Sequence, residues 1–146
     1  MAVRIQSDPF DPGAELSGFS RDRGNVGAIV SFTGVVRNDG GTLERMEIEH
    51  YPGMTEQAIA GIVAEAESRW PLSDVLVIHR HGSLAPGEVI MMVAAASAHR
   101  AAAFAAADFL MDYLKSRAPF WKKEITASSA SWVEAKDADE TALQRW

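Results

Sequence analysis

The chain has 146 residues, 47% of them hydrophobic and 23% charged, which is typical of one globular domain spanning residues 1–146. It contains no cysteine, which excludes a disulfide scaffold, a thiolate metal site and a cysteine nucleophile. The net charge of -6 argues against a nucleic-acid partner. No apolar run is long enough to cross a membrane, and the N-terminus lacks the apolar segment of a signal peptide. We therefore expect a cytoplasmic protein with no membrane partner.

The first half of the chain predicts three strands and one helix. Residues 3–6 form a strand, and the remainder of the first 25 residues, rich in proline and glycine, forms an irregular arm. Residues 27–37 are β-branched and almost continuously apolar, which predicts a strand buried on both faces. Residues 43–51 alternate with period two and predict a half-exposed strand. A helix follows, with Thr55 as its N-cap and Pro71 as its stop.

The second half predicts an antiparallel pair of strands, a long helix and two short strands. The pair covers 75–80 and 88–95, the helix about 98–117, the short strands 120–126 and 131–135, and a terminal helix 137–145. The helix's inner face is predicted to carry Phe104, Ala107, Met111 and Leu114. The order predicts an α+β fold with a mostly antiparallel sheet and two main helices. Residues 43–126 also suit a split βαβ sandwich, which periodicity does not separate from other α+β arrangements.

Basic residues are concentrated near the second long helix. Residues 100–123 hold five basic residues against two aspartates. His99 and Arg100 lie at the helix start, where free N–H groups and the helix dipole favour an anion. A small-anion pocket is one interpretation; a solvated helix end is the other, and charge alone favours the second.

Lys115, Lys122 and Lys123 lie near the other end of that helix. The two consecutive lysines point to opposite faces of the predicted strand, so one of them can share a pocket with Lys115. Phe120 and Trp121 beside them can desolvate an ammonium and lower its pKa, which suits proton transfer or nucleophilic work. The alternative is that these lysines only lie across an aromatic surface.

Other candidate chemistry is weaker. Arg37 follows an apolar strand, in a normal place for a binding residue. His79 and His81 share one strand face, but no third ligand is evident, so no metal site is expected. The glycines after Arg37 lack the spacing of a phosphate-binding loop, and no serine hydrolase motif is present.

Several segments together resemble a known family, the large, catalytic subunit of molybdopterin synthase. They are 31–38 (SFTGVVRN), 49–54 (EHYPGM), 78–80 (IHR), 97–100 (SAHR) and 112–124 (DYLKSRAPFWKKE). The likeness continues to residue 135 and thus spans almost the whole chain. The run 112–124 is its longest and most specific part.

The resemblance implies an α/β-hammerhead fold in place of the sandwich. It implies a homodimer within a heterotetramer, binding a small ubiquitin-like sulfur-carrier subunit that ends in a Gly-Gly thiocarboxylate. The implied reaction inserts two sulfur atoms into cyclic pyranopterin monophosphate to form the dithiolene of molybdopterin, in molybdenum cofactor biosynthesis. The synthase itself is expected to need no metal or other cofactor.

The resemblance also implies residue roles. Lys115 is the central catalytic residue and Lys122 the second. The implied substrate-binding residues are Val35, Val36, Arg37, His99, Arg100, Lys115, Lys122, Lys123 and Glu124. Val35 departs from the basic residue of some relatives, so only backbone contacts carry over there. The alternative function is a non-catalytic anion-binding or carrier-docking module.

Overall fold

The computed structural model describes residues 1–38, 40–134 and 136–146. Its elements in chain order are β1 (Ala2–Gln6), α1 (Pro12–Ser20), β2 (Ala28–Val35), β3 (Leu43–His50), α2 (Met54–Arg69), β4 (Leu72–Arg80), β5 (Gly82–Leu84), β6 (Val89–Ser97), α3 (Arg100–Arg117), β7 (Phe120–Thr126), β8 (Ala130–Trp132), α4 (Asp137–Ala142) and a closing 3-10 turn (Leu143–Arg145).

The strands form two four-stranded sheets. The first has the order β1-β4-β6-β2 and the second the order β5-β3-β7-β8. The pair β1·β4 is parallel, and the other pairs in the described parts of the chain are antiparallel. The predicted α+β class, with mostly antiparallel pairing and two long helices, is confirmed. The split βαβ alternative is wrong, because β3 and β7 pair in one sheet while β4 and β6 pair in the other.

The core lies around the central strands β4 and β6, against which α2 and α3 are placed. Phe109 and Leu110 of α3 are fully buried there, as are Ile59 and Val63 of α2. The predicted burial of residues 27–37 is wrong: β2 is an edge strand, and Ser31, Phe32, Thr33 and Val35 are exposed. An apolar run predicts the strand correctly, but it does not reveal what covers its faces.

The expected irregular arm contains a helix, α1, so that prediction is also wrong. The Asp11 side chain accepts hydrogen bonds from the backbone N–H groups of Gly13 and Ala14, at 2.9 and 3.2 Å. Pro12 lies in the first turn, where its missing N–H costs nothing. Phe19 then anchors the helix, buried against the first sheet. A good cap and one buried aromatic therefore offset two glycines.

The two long helices start differently from the prediction. The N-cap of α2 is Gly53, whose N–H donates to the Glu56 carboxylate at 2.7 Å. Thr55 is instead fully buried, and its hydroxyl donates to the Tyr51 carbonyl at 2.8 Å. On the predicted inner face of α3, Ala107 and Leu114 are buried and Met111 is partly buried, as predicted, but Phe104 is 62% exposed. Among the described residues, no helix is both long and apolar enough to span a membrane.

The end of the chain follows the prediction closely. The strand 120–126 is confirmed. The strand predicted at 131–135 is present as β8 but is shorter, since it ends at Trp132 and residues 133–134 are not in a strand; residue 135 lies outside the described residues. The terminal helix is α4 with its 3-10 turn. Trp146 packs edge-on against Trp70 and Phe109, so the last residue closes the core between α2 and α3.

Candidate active site

Helix α3 runs parallel to β2 and separates the candidate residues into two groups. Ala28 pairs with Ser97, so the end of β6 lies beside the start of β2. The chain then turns at 98–99, and α3 runs back along β6. His99 and Arg100 thus lie at the start of β2, whereas Lys115 lies toward the other end of this strand, which Arg37 follows by two residues. At 1.5 Å per residue, about 22 Å of helix separates Arg100 from Lys115.

Lys122 faces the protein interior beside Lys115. In β7 it pairs with Ile48 of β3, which is 2% exposed, so it shares the inner face of the second sheet. Lys123 points to the other face, where its ammonium lies 5.2 Å from the centre of the Trp132 ring. The predicted division of the two lysines is therefore what the structure shows, and Lys122 is the one next to Lys115.

The surroundings of Lys122 favour its neutral amine. Burial lowers the pKa of Lys122, and the nearby positive charges of Lys115 and Lys136 lower it further, while Asp139 opposes them. The resulting pKa is about 8 instead of 10.5. At neutral pH the group is thus still mostly an ammonium, but it gives up its proton far more readily than an exposed lysine.

His79 lies close enough to the two lysines for their charges to act on it, and it is 5% exposed. Its ring stacks on Phe120 with 3.7 Å between centroids and 15° between planes. Burial holds the pKa of His79 at about 3, and the charges of Lys122 and Lys115 act in the same direction. The ring is therefore neutral at physiological pH, and its Nδ1 donates to the Arg80 carbonyl at 2.7 Å.

The histidines do not form a metal site in the part of the chain that the structure describes. The His81 ring lies against His50, with centroids 4.4 Å apart, whereas the buried His79 ring stacks on Phe120. No three metal-ligating side chains come together among the described residues.

The other group of candidates surrounds an open depression of about 510 Å³ at the start of α3, lined by His99, Arg100, Gly27, Ala98, Ala101 and Phe104. His99 is the N-cap of α3 but gives it no side-chain hydrogen bond, so the first N–H groups of the helix remain available to an anion. Gly27 allows the backbone to approach here: a Cβ at this position would lie 2.1 Å from the Ala98 carbonyl oxygen. This arrangement suits a phosphate held by Arg100 and the helix start.

An apolar surface lies between the two groups, along the free edge of β2. Phe32, Val35 and Phe104 are 43%, 50% and 62% exposed. A second depression of about 510 Å³ lies on this surface, between Ser31 of β2 and Asp108 and Met111 of α3. Large exposed aromatic side chains beside an unpaired strand edge are typical of an interface between protein chains.

The structure therefore brings together some of the predicted site residues and not others. Lys115 and Lys122 are neighbours, with exposed Glu124 further along β7. Val36 is buried, and its N–H donates to the Glu88 carbonyl at 2.9 Å, so it supports Arg37 from inside the fold. Within one chain, His99 and Arg100 stay at the far end of α3.

His79 and Phe120 contribute to the lysine site in a way that the sequence pattern did not reveal. The available signal was a histidine that ends an apolar run, Val75–Ile78, since a polar ring at a buried position needs a specific partner.

The fold and the paired lysines place the chain in a defined class of proteins. The family model described as MoaE protein matches residues 5–117, and the chain belongs to this family. The molybdopterin synthase catalytic subunit of Cereibacter sphaeroides is 66% identical over 146 residues, covering 100% of both chains.

Two solved structures share the architecture. A molybdopterin biosynthesis MoaE protein from Burkholderia ambifaria has a TM-score of 0.85 and 49% identity, covering 100% of this chain and 98% of that one. Molybdopterin synthase from Staphylococcus aureus has a TM-score of 0.82 and 31% identity, covering 90% and 96%. The family and fold implied by the sequence resemblance are thus confirmed.

Proposed function

We propose that the chain is the catalytic subunit of a molybdopterin synthase, a sulfurtransferase of molybdenum cofactor biosynthesis. It inserts two sulfur atoms from the thiocarboxylate of a small carrier subunit into cyclic pyranopterin monophosphate. The observation that carries the proposal is the half-buried Lys122 beside Lys115, because it places a second basic side chain next to an amine whose pKa is lowered to about 8. The names of its relatives point to the same reaction.

Each transfer takes two steps, each of which forms one bond and breaks another. The carrier's sulfur forms a bond to a carbon of the pterin while a carbon–oxygen bond at that carbon breaks and the leaving oxygen takes up a proton, which leaves carrier and pterin joined by a thioester. Water then attacks the acyl carbon and the acyl C–S bond breaks, so that sulfur stays on the pterin and the carrier regains a carboxylate. The charge of Lys115 suits the oxyanion of this step, and Lys122, with its pKa near 8, suits the transfer of the water proton.

We further propose that the complete pocket forms between two copies of the chain. The free edge of β2, with Phe32 and Phe104 exposed beside it, is the surface we assign to the homodimer. Two copies related by a two-fold axis across this edge run antiparallel, so the start of one β2 meets the end of the other. Arg100 and His99 of one copy then lie near Arg37 and Lys115 of the other.

This arrangement gives each predicted residue a place. Arginines and the α3 start hold the phosphate, while Val35, Val36, Lys123 and Glu124 border the pterin or the carrier tail beside the two lysines. A cytoplasmic location is part of the same proposal.

The test is to replace Lys115 by Ala and supply thiocarboxylated carrier with the cyclic precursor. We expect dithiolene formation to fall by about 10²-fold or more, whereas Arg21→Ala, directly after the remote helix α1, retains the parent rate. Product formation at the parent rate by the Lys115 variant contradicts the assignment. A parent protein that binds both ligands without turnover shows a docking module instead.

A further inference from the structure

An aromatic stack joins the two sheets beside the lysine site. His79 is in β4 of the first sheet, and Phe120 is the first residue of β7 in the second. Their rings stack at 3.7 Å with 15° between planes. The start of β7 is thus packed directly against the end of β4, a buried central strand of the other sheet.

The His79 ring is held by the backbone on its own side. Its Nδ1 donates to the Arg80 carbonyl at 2.7 Å. Arg80 is itself 4% exposed, donates to the Ser7 carbonyl at 2.9 and 3.1 Å, and pairs with Glu88 at 3.2 Å. These hydrogen bonds fix the orientation of the imidazole ring, so that its plane stacks on Phe120. An aliphatic side chain has no planar ring to stack in this way.

The position of Phe120 bears on Lys122. Residues two apart in a strand lie on the same face, so Phe120 and Lys122 both face inward from β7. His79 also lies within electrostatic reach of Lys122 and Lys115, since both charges act on its pKa. A ring anchored in β4 thus supports the strand segment that carries the second lysine.

We propose that His79 is a positioning residue: stacked on Phe120, it fixes the start of β7 and keeps the Lys122 amine half-buried beside Lys115. The inference rests on the proposed sulfur-transfer function for its role in catalysis, but the placement of Lys122 can be measured without turnover.

Several charged and titratable groups face Lys122, so a test of His79 must distinguish their effect on the Lys122 pKa from the effect of packing. Lys115 faces it from α3, Asp139 from α4, and Lys136 from the residue before α4. His79 faces it from β4 and is neutral above about pH 3. Its replacement by another neutral residue therefore changes packing and hydration around Lys122, not the charge.

The experiment is competitive labelling of lysines with an amine-reactive reagent across pH, read for Lys122 by mass spectrometry. We expect a midpoint near 8 in the parent and a rise of about one unit or more in His79→Ala, as water reaches the amine. His79→Phe keeps the stacked ring and is expected to stay near the parent midpoint. Val77→Ala, a truncation at a fully buried site in the same strand, is the matched control and leaves the midpoint unchanged.

A second variant keeps the test decisive where His79→Ala does not fold. Phe120→Leu removes the other half of the stack, and we expect the same upward shift. An unchanged midpoint in folded Phe120→Leu overturns the proposal, as does an equal shift in Val77→Ala, which would show general loosening of the core.

The kinetic readout links the placement to the reaction. In His79→Ala we expect kcat to fall about tenfold while KM for the precursor stays within about twofold, and His79→Phe to recover most of the loss. A rise in KM alone contradicts a positioning role. A parent protein without sulfur transfer refutes the proposed function and leaves the labelling result standing.

Discussion

Lys115 in α3 and Lys122 in β7 lie near enough to each other that the charge of the first lowers the pKa of the second. The turn at Ala118 and Pro119 reverses the chain between them, so the end of a helix and the start of a strand face each other. Burial of Lys122 is the larger cause of its lowered pKa, so Lys122 loses its proton more readily than an exposed lysine does.

The first prediction concerns this coupling. Lys115→Met removes the positive charge beside Lys122, so the pKa of Lys122 is expected to rise from about 8 toward 10.5 while staying below it, since burial remains. Competitive labelling of Lys122 across pH measures the midpoint. Arg117→Met, an exposed cation two residues further on that pairs with Glu140, is the control. A midpoint that does not move in Lys115→Met contradicts the proximity of the two amines.

The second prediction concerns stability. Because the pKa of Lys122 is lower in the folded protein than the ordinary 10.5, the folded state holds this proton less tightly than the unfolded chain. The resulting cost is complete below about pH 8 and disappears as the pH rises toward 10.5. Lys122→Met is therefore expected to raise the free energy of unfolding by about 1–3 kcal/mol at pH 7, with little gain at pH 10.5.

Urea unfolding at both pH values measures this gain, and Lys123→Met on the opposite face of β7 serves as the reference. Equal behaviour of the two variants would show that Lys122 bears no burial cost.

The third prediction concerns the close approach at the depression that Arg100 lines. Gly27→Ala places a Cβ 2.1 Å from the Ala98 carbonyl oxygen, so the backbone must shift. We expect a loss of about 2 kcal/mol in stability and weaker binding of inorganic phosphate at the α3 start. Gly61→Ala, in the interior of α2 with nothing within 4 Å, is expected to be neutral or stabilising by about 0.5–1 kcal/mol. Thermal unfolding separates the two, and similar effects would argue against the close approach.

The fourth prediction concerns the C-terminal contact with α3. The Asp112 carboxylate accepts hydrogen bonds from Arg145 and from the indole N–H of Trp146, the latter at 2.6 Å. Asp108 accepts from Arg145 at 2.8 Å in a more exposed position. We expect Asp112→Ala to cost about 1–2 kcal/mol and Asp108→Ala less than about 0.5 kcal/mol. Urea unfolding followed by tryptophan fluorescence checks the order, and a larger cost for Asp108→Ala reverses the interpretation.

Local sequence patterns predicted most of the strands and helices, but they did not predict which faces of these elements are buried. The strand 120–126 was predictable because Pro119 ends the helix before it and alternation continues after it. The prediction of burial failed at β2 and at Phe104 for one reason. In the sequence, an apolar residue that faces solvent in a single chain looks the same as an apolar residue that faces the core. Helix α1 was missed because its cap, Asp11, acts through geometry that composition does not show.

Some features of the site were also predictable from local patterns, and one was not. The opposite faces of Lys122 and Lys123 follow from strand alternation, and the pairing of Lys122 with Lys115 from the sharp turn between them. The stack of His79 on Phe120 joins residues of different sheets and depends on tertiary packing, which spacing along the chain does not encode.

The most direct test of the shared pocket uses two inactive variants, Arg100→Ala and Lys115→Ala, each with a different tag. Mixed dimers carrying one copy of each are purified and supplied with thiocarboxylated carrier and precursor. If Arg100 of one copy serves Lys115 of the other, one of the two pockets is intact, and the mixed dimer has about half of the parent activity. If each chain uses its own Arg100, both pockets are defective, and a mixed dimer as inactive as its parents contradicts the account.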